Sequence, residues 1–564
     1  MLQSFIANKV AIGIDDYETI RKKNCFYIDK TEFIKEWWES EDKVTLITRP
    51  RRFGKTLNIS MLECFFSNKY SDRADLFEGM SVWEDKKYHE IQGTYPVISL
   101  SFASVKETTY EAARIKIFRL FTKLYMINDF LLEGDILKAK EKDYFNSVSE
   151  KMDEVTACDA LHNLSDYLLR YYGKKLIIFL DEYDAPMQEA YVYGYWDDMS
   201  KFMRGFFNSS FKTNPYMERV LMTGITRLSK ESIFSDFNNV KVVTSTSDIY
   251  ETAFGFTQKE TFDALDIQRM GEYKDKAREW YDGFTFGNVS DIYNPWSVIN
   301  LLRNGSFDAY WVNTSSNSLV NKLIREGSNE IKIKIEDLLT GGYLEEEIDE
   351  QIVFNQLDNE EDAVWSLLLA SGYLKIKKRR QQENGEYLYE LTLTNKEVYI
   401  MFRRLIKQWF KKSGTSYNGF IKALLKDNVE EMNDYMNDVA LNCFSFFDNG
   451  KNFSEKSIAE RFYHGFVLGL MVELRGRFVI TSNRESGYGR YDIMLTPLNN
   501  EDNAVIIEFK VRNAKKEKSI EETLAAALRQ IKEKAYDAVL IEKGIAKSRI
   551  KNYGFAFEGK NVLI

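Results

Sequence analysis

Three groups of residues suggest the chemistry of this chain. The first is Gly54-Lys55-Thr56, which closes the stretch VTLITRPRRFGKTL from Val44 to Leu57. A short β-branched apolar run enters a tight turn, and a helical pattern at Leu57, Met61, Leu62 and Phe65 leaves it. Strand, loop and helix with Gly-Lys-Thr at the mouth is the layout of a phosphate-binding loop, where unpaired N–H groups and the positive helix end both favour an anion. The expected ATP contacts are Arg51, Arg52, Phe53, Gly54, Lys55, Thr56 and Leu57, with Lys55 reaching the outer phosphates and Thr56 holding Mg2+ (or Mn2+). The usual pattern begins with a glycine where this chain has Arg49, and taken alone Gly-Lys-Thr also reads as a surface turn.

The second group ends the run Lys174-Lys175-LIIFL-Asp181-Glu182. A continuous apolar run that stops at two carboxylates is what a buried parallel strand delivers at its C-terminal edge. Asp181 would join the metal shell and Glu182 would polarise the attacking water, the division of labour that phosphoanhydride hydrolysis needs. A further buried strand, Arg219 to Thr223, is expected between the loop strand and the acid strand. That placement sets Thr223 beside the γ-phosphate as a sensor. Arg227, just past it, is a second candidate phosphate contact or a solvated charge.

The third group lies near the C-terminus, in strands GRYDIMLT (489–496) and AVIIEFKV (504–511), joined by the polar loop PLNNEDN. Alternation sends Glu508 and Lys510 to one face, about 7 Å apart. A hairpin centred near Asn500 sets Asp492 across from Glu508. Converging carboxylates raise each other's proton affinity unless a cation neutralises them, so a divalent ion between Asp492 and Glu508 is the economical arrangement. Lys510 beside it would orient or deprotonate a water and stabilise charge on a phosphate. The structural alternative is a Glu-Lys pair on a solvent-facing strand.

The elements that position these groups follow from pattern. Asp29-Lys30-Thr31-Glu32 reads as a capping box before the helix FIKEWW. Strands at Pro96 to Phe102 and Val240 to Thr244, with helices at Tyr110 to Leu132 and Asp159 to Tyr172, complete an alternating α/β order and hence a parallel sheet. From Phe254 the pattern turns helical, as a lid over the nucleotide or a linker bundle. RPRRFGKT, FLDEYDAP, TGITRLS and WYDGFTFG followed by YNPWSVINLL resemble the bacterial AAA-ATPase-like family over roughly residues 12–318. That resemblance implies a P-loop ATPase that tolerates the missing first glycine.

Between Asp362 and Val398 a helix, a basic segment KIKKRR and the strand YLYELTL outline a winged helix. Lys375, Lys377, Lys378, Arg379 and Arg380 on its wing either lie along DNA phosphates or guard a sheet edge against aggregation. The last region, with helices at Ser457 to Leu474 and Ser519 to Ala535 around the strands, resembles the PD-(D/E)XK nuclease superfamily through ERFYHGFVLGL, SNRESGYGRYDI and IIEFKV. The resemblance implies Asp492 and Glu508 as metal ligands, Lys510 as the catalytic lysine, Glu460 as a helix-borne metal-binding acid and Gln530 as a polar catalytic residue after the core strands.

Composition bounds these readings. The 564 residues are 44% hydrophobic with 6 prolines, which suits several packed domains with little linker. Four scattered cysteines and 3 histidines give neither a disulfide framework nor a zinc cage, and a reducing cytoplasm is expected. A net charge of −9 excludes non-specific coating of nucleic acid, so contact must come from local basic patches. The expected architecture is α/β multidomain: a P-loop NTPase parallel sheet (1–250), a helical lid (251–345), a winged-helix-like and helical connector (346–450) and a C-terminal restriction-endonuclease-like α/β domain (451–564). The expected partner is nucleic acid, DNA ahead of RNA, with no membrane; an arginine finger in trans would require a homo-oligomer. A nucleotide-switched scaffold whose nuclease fold binds without cleaving is the alternative.

Overall fold

Val44–Thr48 is β-branched and apolar, has neighbours on both sides, and is buried at every position, so it sits in the middle of a sheet rather than at its edge. The computed structural model that shows this describes residues 9–227, 240–313, 320, 323–324, 329–339, 341–348, 361–383, 385–411, 417–443, 467, 470–471, 474, 476–486, 489–499, 501–513, 516–558 and 561–564. The chain forms two units, residues 1–323 with 343–400, and residues 324–342 with 401–564.

In the first unit, β1 (Val44–Thr48), β2 (Val97–Ser101), β3 (Leu176–Asp181), β4 (Met217–Gly224) and β5 (Val240–Val243) form a sheet of order β2-β3-β4-β1-β5, parallel throughout. β4 therefore separates the loop strand from the acid strand, as the placement of Thr223 required. Helices Lys55–Phe66, Tyr110–Ile127 and Glu154–Tyr172 connect the strands. Asp153 caps the last of these through the Thr156 amide, so it begins before the expected Asp159.

Two local expectations are corrected. Thr31 precedes helix Glu32–Glu39 but its side chain makes no capping bond. Asp29 instead accepts from the Thr31 amide and hydroxyl and from the Ser81 amide, so this motif ties two segments together. The region from Phe254 is also not purely helical. Between helices Gln258–Ile267, Lys274–Tyr281 and Pro295–Asn304 lies a small antiparallel sheet of β6 (Phe256–Thr257), β7 (Phe284–Phe286) and β8 (Val289–Tyr293), in the order β6-β8-β7. Its strands are too short to show a period in sequence.

The segment 343–400 adds β9 (Leu344–Glu347), helix Glu361–Ala370, β10 (Leu374–Gln381) and β11 (Tyr387–Leu393), with β10 and β9 both antiparallel to β11. Glu397, fully buried, fastens this segment to helix Pro295–Asn304 and the chain that follows it: its carboxyl oxygens accept from the Ser297 hydroxyl at 2.8 Å and the Trp311 amide at 3.0 Å. The Trp311 indole donates in turn to the Arg51 carbonyl at 3.0 Å, so the chain of bonds reaches the phosphate loop.

In the second unit β12 (Phe478–Ser486), β13 (Gly489–Pro497), β14 (Ala504–Val511), β15 (Ile550–Glu558) and β16 (Asn561–Leu563) lie in sequence order. β14 and β15 are parallel and the other pairs antiparallel. Ile493, Leu495, Ile507 and Phe509 join one apolar cluster with Phe420, Met432 and Leu470, whereas Met494 and Ile506 join another with Ile531 and Leu540. The two faces of the sheet thus have separate cores, and helix Ile520–Glu533 covers the second.

Burial pushes the Glu397 carboxyl up from an ordinary 4.5 to about 8, and burial, reinforced by Asp291, pushes Asp282 up from 3.8 to about 7. Within those windows the folded unit keeps protons that the unfolded chain has released. The contribution of these two groups to stability is therefore fully present below their unfolded values and is lost as pH rises through the folded values. Thermal midpoints read by fluorescence from about pH 5 to about pH 9 are expected to decline, and Glu397→Gln to flatten the decline. An unchanged slope in the variant would exclude Glu397 as its source.

Candidate functional site

The phosphate loop is shaped by its backbone. Arg52 and Gly54 have φ of 65° and 82°, and Gly54 directly precedes helix Lys55–Phe66. A side chain at Gly54 would meet no atom within 4 Å, so the glycine is required by conformation rather than by space. Arg49 resolves the departure from the usual loop pattern. It is fully buried, its guanidinium donates to the carbonyls of Thr48, Thr244 and Tyr250, and it lies 4.4 Å over the Phe286 ring. The arginine in place of glycine thus holds the loop to the chain after β5 and to β7.

Lys55 is buried and donates to the carbonyls of Arg49 and Pro50 at 2.9 and 2.8 Å. Burial pulls its pKa down, opposed by the nearby charges of Glu182, Asp181 and Asp184. Asp181 receives the Thr56 hydroxyl at 2.7 Å on one carboxylate oxygen and the Thr223 hydroxyl at 2.5 Å on the other. Asp181 therefore joins Thr56 to Thr223, the residues expected at the metal and the γ-phosphate. Glu182 follows with a left-handed backbone, φ 48°.

The other expected contacts differ in kind. Arg51 donates to Gln188 at 3.2 Å, Arg52 lies 4.5 Å over the Trp296 ring, and Phe53 is buried against Phe284 and Phe286. Leu57 is half-buried beside the N-terminal core. Arg227 is half-buried just past β4, and among the described residues no contact joins it to the loop. Sequence reading passed over Asp184, whose carboxylate accepts from the amides of Ile225 and Thr226, the Thr226 hydroxyl and Gln188. It fixes the turn that follows Thr223.

In the second unit β13 and β14 pair at Ile493↔Ile507, Met494↔Ile506 and Leu495↔Val505, a register that, extended by one step, sets Asp492 across from Glu508; Asn500, the expected centre of the hairpin, lies outside the described residues. Both carboxylates and Lys510 share the Met494 and Ile506 face by alternation. Gly554 stands opposite Glu508 on β15, and a Cβ there would come within 2.8 Å of Leu524 and 3.1 Å of Ala527. The glycine allows helix Ile520–Glu533 to approach closely and carry Gln530 over the site. Gln530 accepts from the Lys510 ammonium at 2.6 Å and donates to Glu508 and, at 3.1 Å, to the Tyr536 hydroxyl. Asp492 accepts the Phe509 amide at 2.8 Å.

Tyr536 was not anticipated. It is buried, and burial raises its hydroxyl's pKa with further upward contributions from Glu508 and Asp492. An aromatic residue just beyond the charged end of a helix, in RQIKEKAYD, was the available signal. Glu460 lies outside the described residues, as does most of the helix expected at Ser457 to Leu474. Among the described residues no three His, Cys, Asp or Glu side chains converge as a metal cage. Two carboxylates on one face are the hard oxygen donors that suit a magnesium-like ion retaining several waters.

Among the described residues no helix is long and apolar enough to cross a membrane. Comparison with known proteins divides as the structure does. Residues 11–234 match the family described as predicted AAA-ATPase, and residues 458–564 match the PD-(D/E)XK nuclease superfamily. A protein from Azotobacter chroococcum, described by its place in the vnfD 5' region, is 24% identical over 324 residues, 56% of each chain. This chain thus spans just over half of that relative's length. A solved STAND protein with a tetratricopeptide repeat sensor from Pyrococcus horikoshii matches 80% of this chain and 53% of its own, at 13% identity and a TM-score of 0.23. The ORC2 protein of Aeropyrum pernix, solved as ADPNP-ADP complexes, matches 67% of this chain and 92% of its own, at 10% identity and a TM-score of 0.24. The chain thus carries a region similar to the predicted AAA-ATPase family and, nearer its C-terminus, a region similar to the PD-(D/E)XK nuclease superfamily.

Proposed function

We propose that this protein is an ATPase that places a metal-dependent nucleic-acid nuclease under nucleotide control. The observation that carries the nuclease half is the contact of Gln530 with both Lys510 and Glu508 on the face that Asp492 shares. Asp492 and Glu508 would hold Mg2+ or Mn2+, which when bound supplies charge stabilisation to a phosphodiester and a more acidic water. Lys510 then orients the attacking water and donates to the non-bridging phosphate oxygen. Gln530 keeps the ammonium and the Glu508 carboxylate apart and aimed, and Tyr536 steadies Gln530.

In the first unit, Lys55 would exchange the Arg49 and Pro50 carbonyls for the outer phosphates of ATP. Thr56 and Asp181 would hold the accompanying Mg2+, Thr223 would report the γ-phosphate through Asp181, and Glu182 would align the water. The domain limits set out from the sequence serve this scheme: ATPase 1–250, lid 251–345, connector 346–450, nuclease 451–564. Arg52 and Arg227 remain candidates for phosphate contact, and a cytoplasmic setting supplies ATP and reduced thiols.

Lys510→Ala is expected to lower cleavage of labelled oligonucleotides with Mn2+ by roughly 100-fold or more, a far larger loss than the loss of binding measured in EDTA. Wild-type protein that cleaves neither DNA nor RNA, with or without ATP, removes the nuclease reading. Glu182→Gln is expected to cut phosphate release by about 100-fold and to retain nucleotide binding. Equal background release from both proteins would mean that this site does not turn ATP over.

A further inference from the structure

The basic segment KIKKRR is not used by either site. In the first unit its strand, β10, is an edge strand, and residues 377–381 are exposed without interruption. The structure sorts its cations. Lys375 is half-buried close to Gly283, where its charge opposes that of Asp282, so it belongs to the lid packing. Lys378 lies 3.7 Å from Glu390 on β11. Lys377, Arg379 and Arg380 are exposed and, among the described residues, have no carboxylate partner.

Two tyrosines flank them. Lys377 lies 5.0 Å from the centroid of Tyr343 and Arg379 lies 5.8 Å from that of Tyr387; the rings are 50% and 41% exposed. A register shift between Ile376 and Lys378 interrupts regular pairing with β11 and marks Lys377 as the extra residue. In a chain of net charge −9 this strand concentrates positive charge beside exposed rings.

We propose that the open edge of β10 binds single-stranded nucleic acid, with Lys377, Arg379 and Arg380 reaching phosphates from the two faces of the strand and Tyr343 and Tyr387 offering ring surface to the bases. Cations that track a backbone beside exposed aromatic rings are what a single strand requires, since its phosphates and base faces are both accessible. The partner class rests on the nucleic-acid reading above, while the binding itself requires no cleavage. Edge protection against aggregation is the competing role for these charges, and it predicts no ligand.

The test is fluorescence anisotropy of a labelled oligothymidylate and of a labelled duplex with the full chain, in EDTA and over a range of salt. The triple variant Lys377→Gln, Arg379→Gln, Arg380→Gln is expected to bind the single strand roughly tenfold more weakly at low salt, with a logarithmic salt slope smaller by about 2. Glu390→Gln, which releases Lys378, is expected to tighten binding, so the surface is tested by a gain as well as a loss. Unchanged affinity and slope in the triple variant, or aggregation of that variant with unchanged binding, overturns the proposal. Binding of the duplex alone also overturns it. A protein that binds through β10 and never cleaves keeps this proposal and loses the nuclease reading; one that cleaves while the triple variant binds normally does the reverse.

Discussion

The hydrogen bond from the Phe509 amide to the Asp492 carboxylate is the interaction on which the C-terminal site depends. The ladder between β13 and β14 runs through Ile493 and Ile507 and then gives way. Phe509 is fully buried, so its amide needs an acceptor once the partner strand departs. Asp492 supplies it with a side chain instead of a backbone carbonyl, and the strands open with both carboxylates on the same face. Gly554 lets the covering helix settle close to the sheet, and Gln530 enters the opening. Sheet termination and site construction are therefore one event. A substitution at Asp492 disturbs both, which is why Lys510, whose ammonium is tied to a side-chain amide, separates chemistry from folding more cleanly.

The first unit solves a similar problem with the opposite charge. Arg49 cannot be solvated where it lies, and its two terminal nitrogens donate to carbonyls at three positions of the chain. A buried guanidinium satisfied in this way is costly to displace. It pins the start of the loop, while Arg52 and Gly54 set the curvature through their positive φ. On the far side Asp184 gathers the turn after β4 with four hydrogen bonds. Between these anchors, Thr56 and Thr223 each hold one oxygen of the Asp181 carboxylate. The loop's missing glycine is thus offset by tertiary contacts that a local motif does not record.

What was legible in the sequence follows the range of the forces involved. Strand periodicity and hairpin length are local, so the register of β13 on β14 and the shared face of Asp492, Glu508 and Lys510 were readable, as was the insertion of β4 between β1 and β3. Where a polar side chain had a choice of distant partners, local reading failed. Asp29 captures the Ser81 amide instead of completing a capping box with Thr31, Lys375 turns toward Asp282 rather than joining the exposed wing, and Tyr536 reaches Gln530 from beyond a helix end. The small sheet of β6, β7 and β8 was hidden for a different reason: its strands carry too few residues to display alternation.

Nucleotide control requires that the loop's state be felt elsewhere, and the first unit contains a continuous route for it. The Arg51 carbonyl holds the Trp311 indole, the Trp311 amide holds Glu397, and Glu397 holds Ser297 at the start of helix Pro295–Asn304. Arg52 stacks on Trp296 one position earlier, and Phe53 is wedged against β7. Three consecutive loop residues thus each engage the region that follows the ATPase sheet. Gly372, whose Cβ would come within 3.0 Å of both Phe284 and Pro50, brings the turn before β10 against the same place. A change in loop backbone cannot be absorbed locally, because close-packed contacts of this kind are discrete rather than continuously deformable. Within this unit the strand proposed to hold nucleic acid is thus joined by packed contacts to the loop proposed to hold ATP.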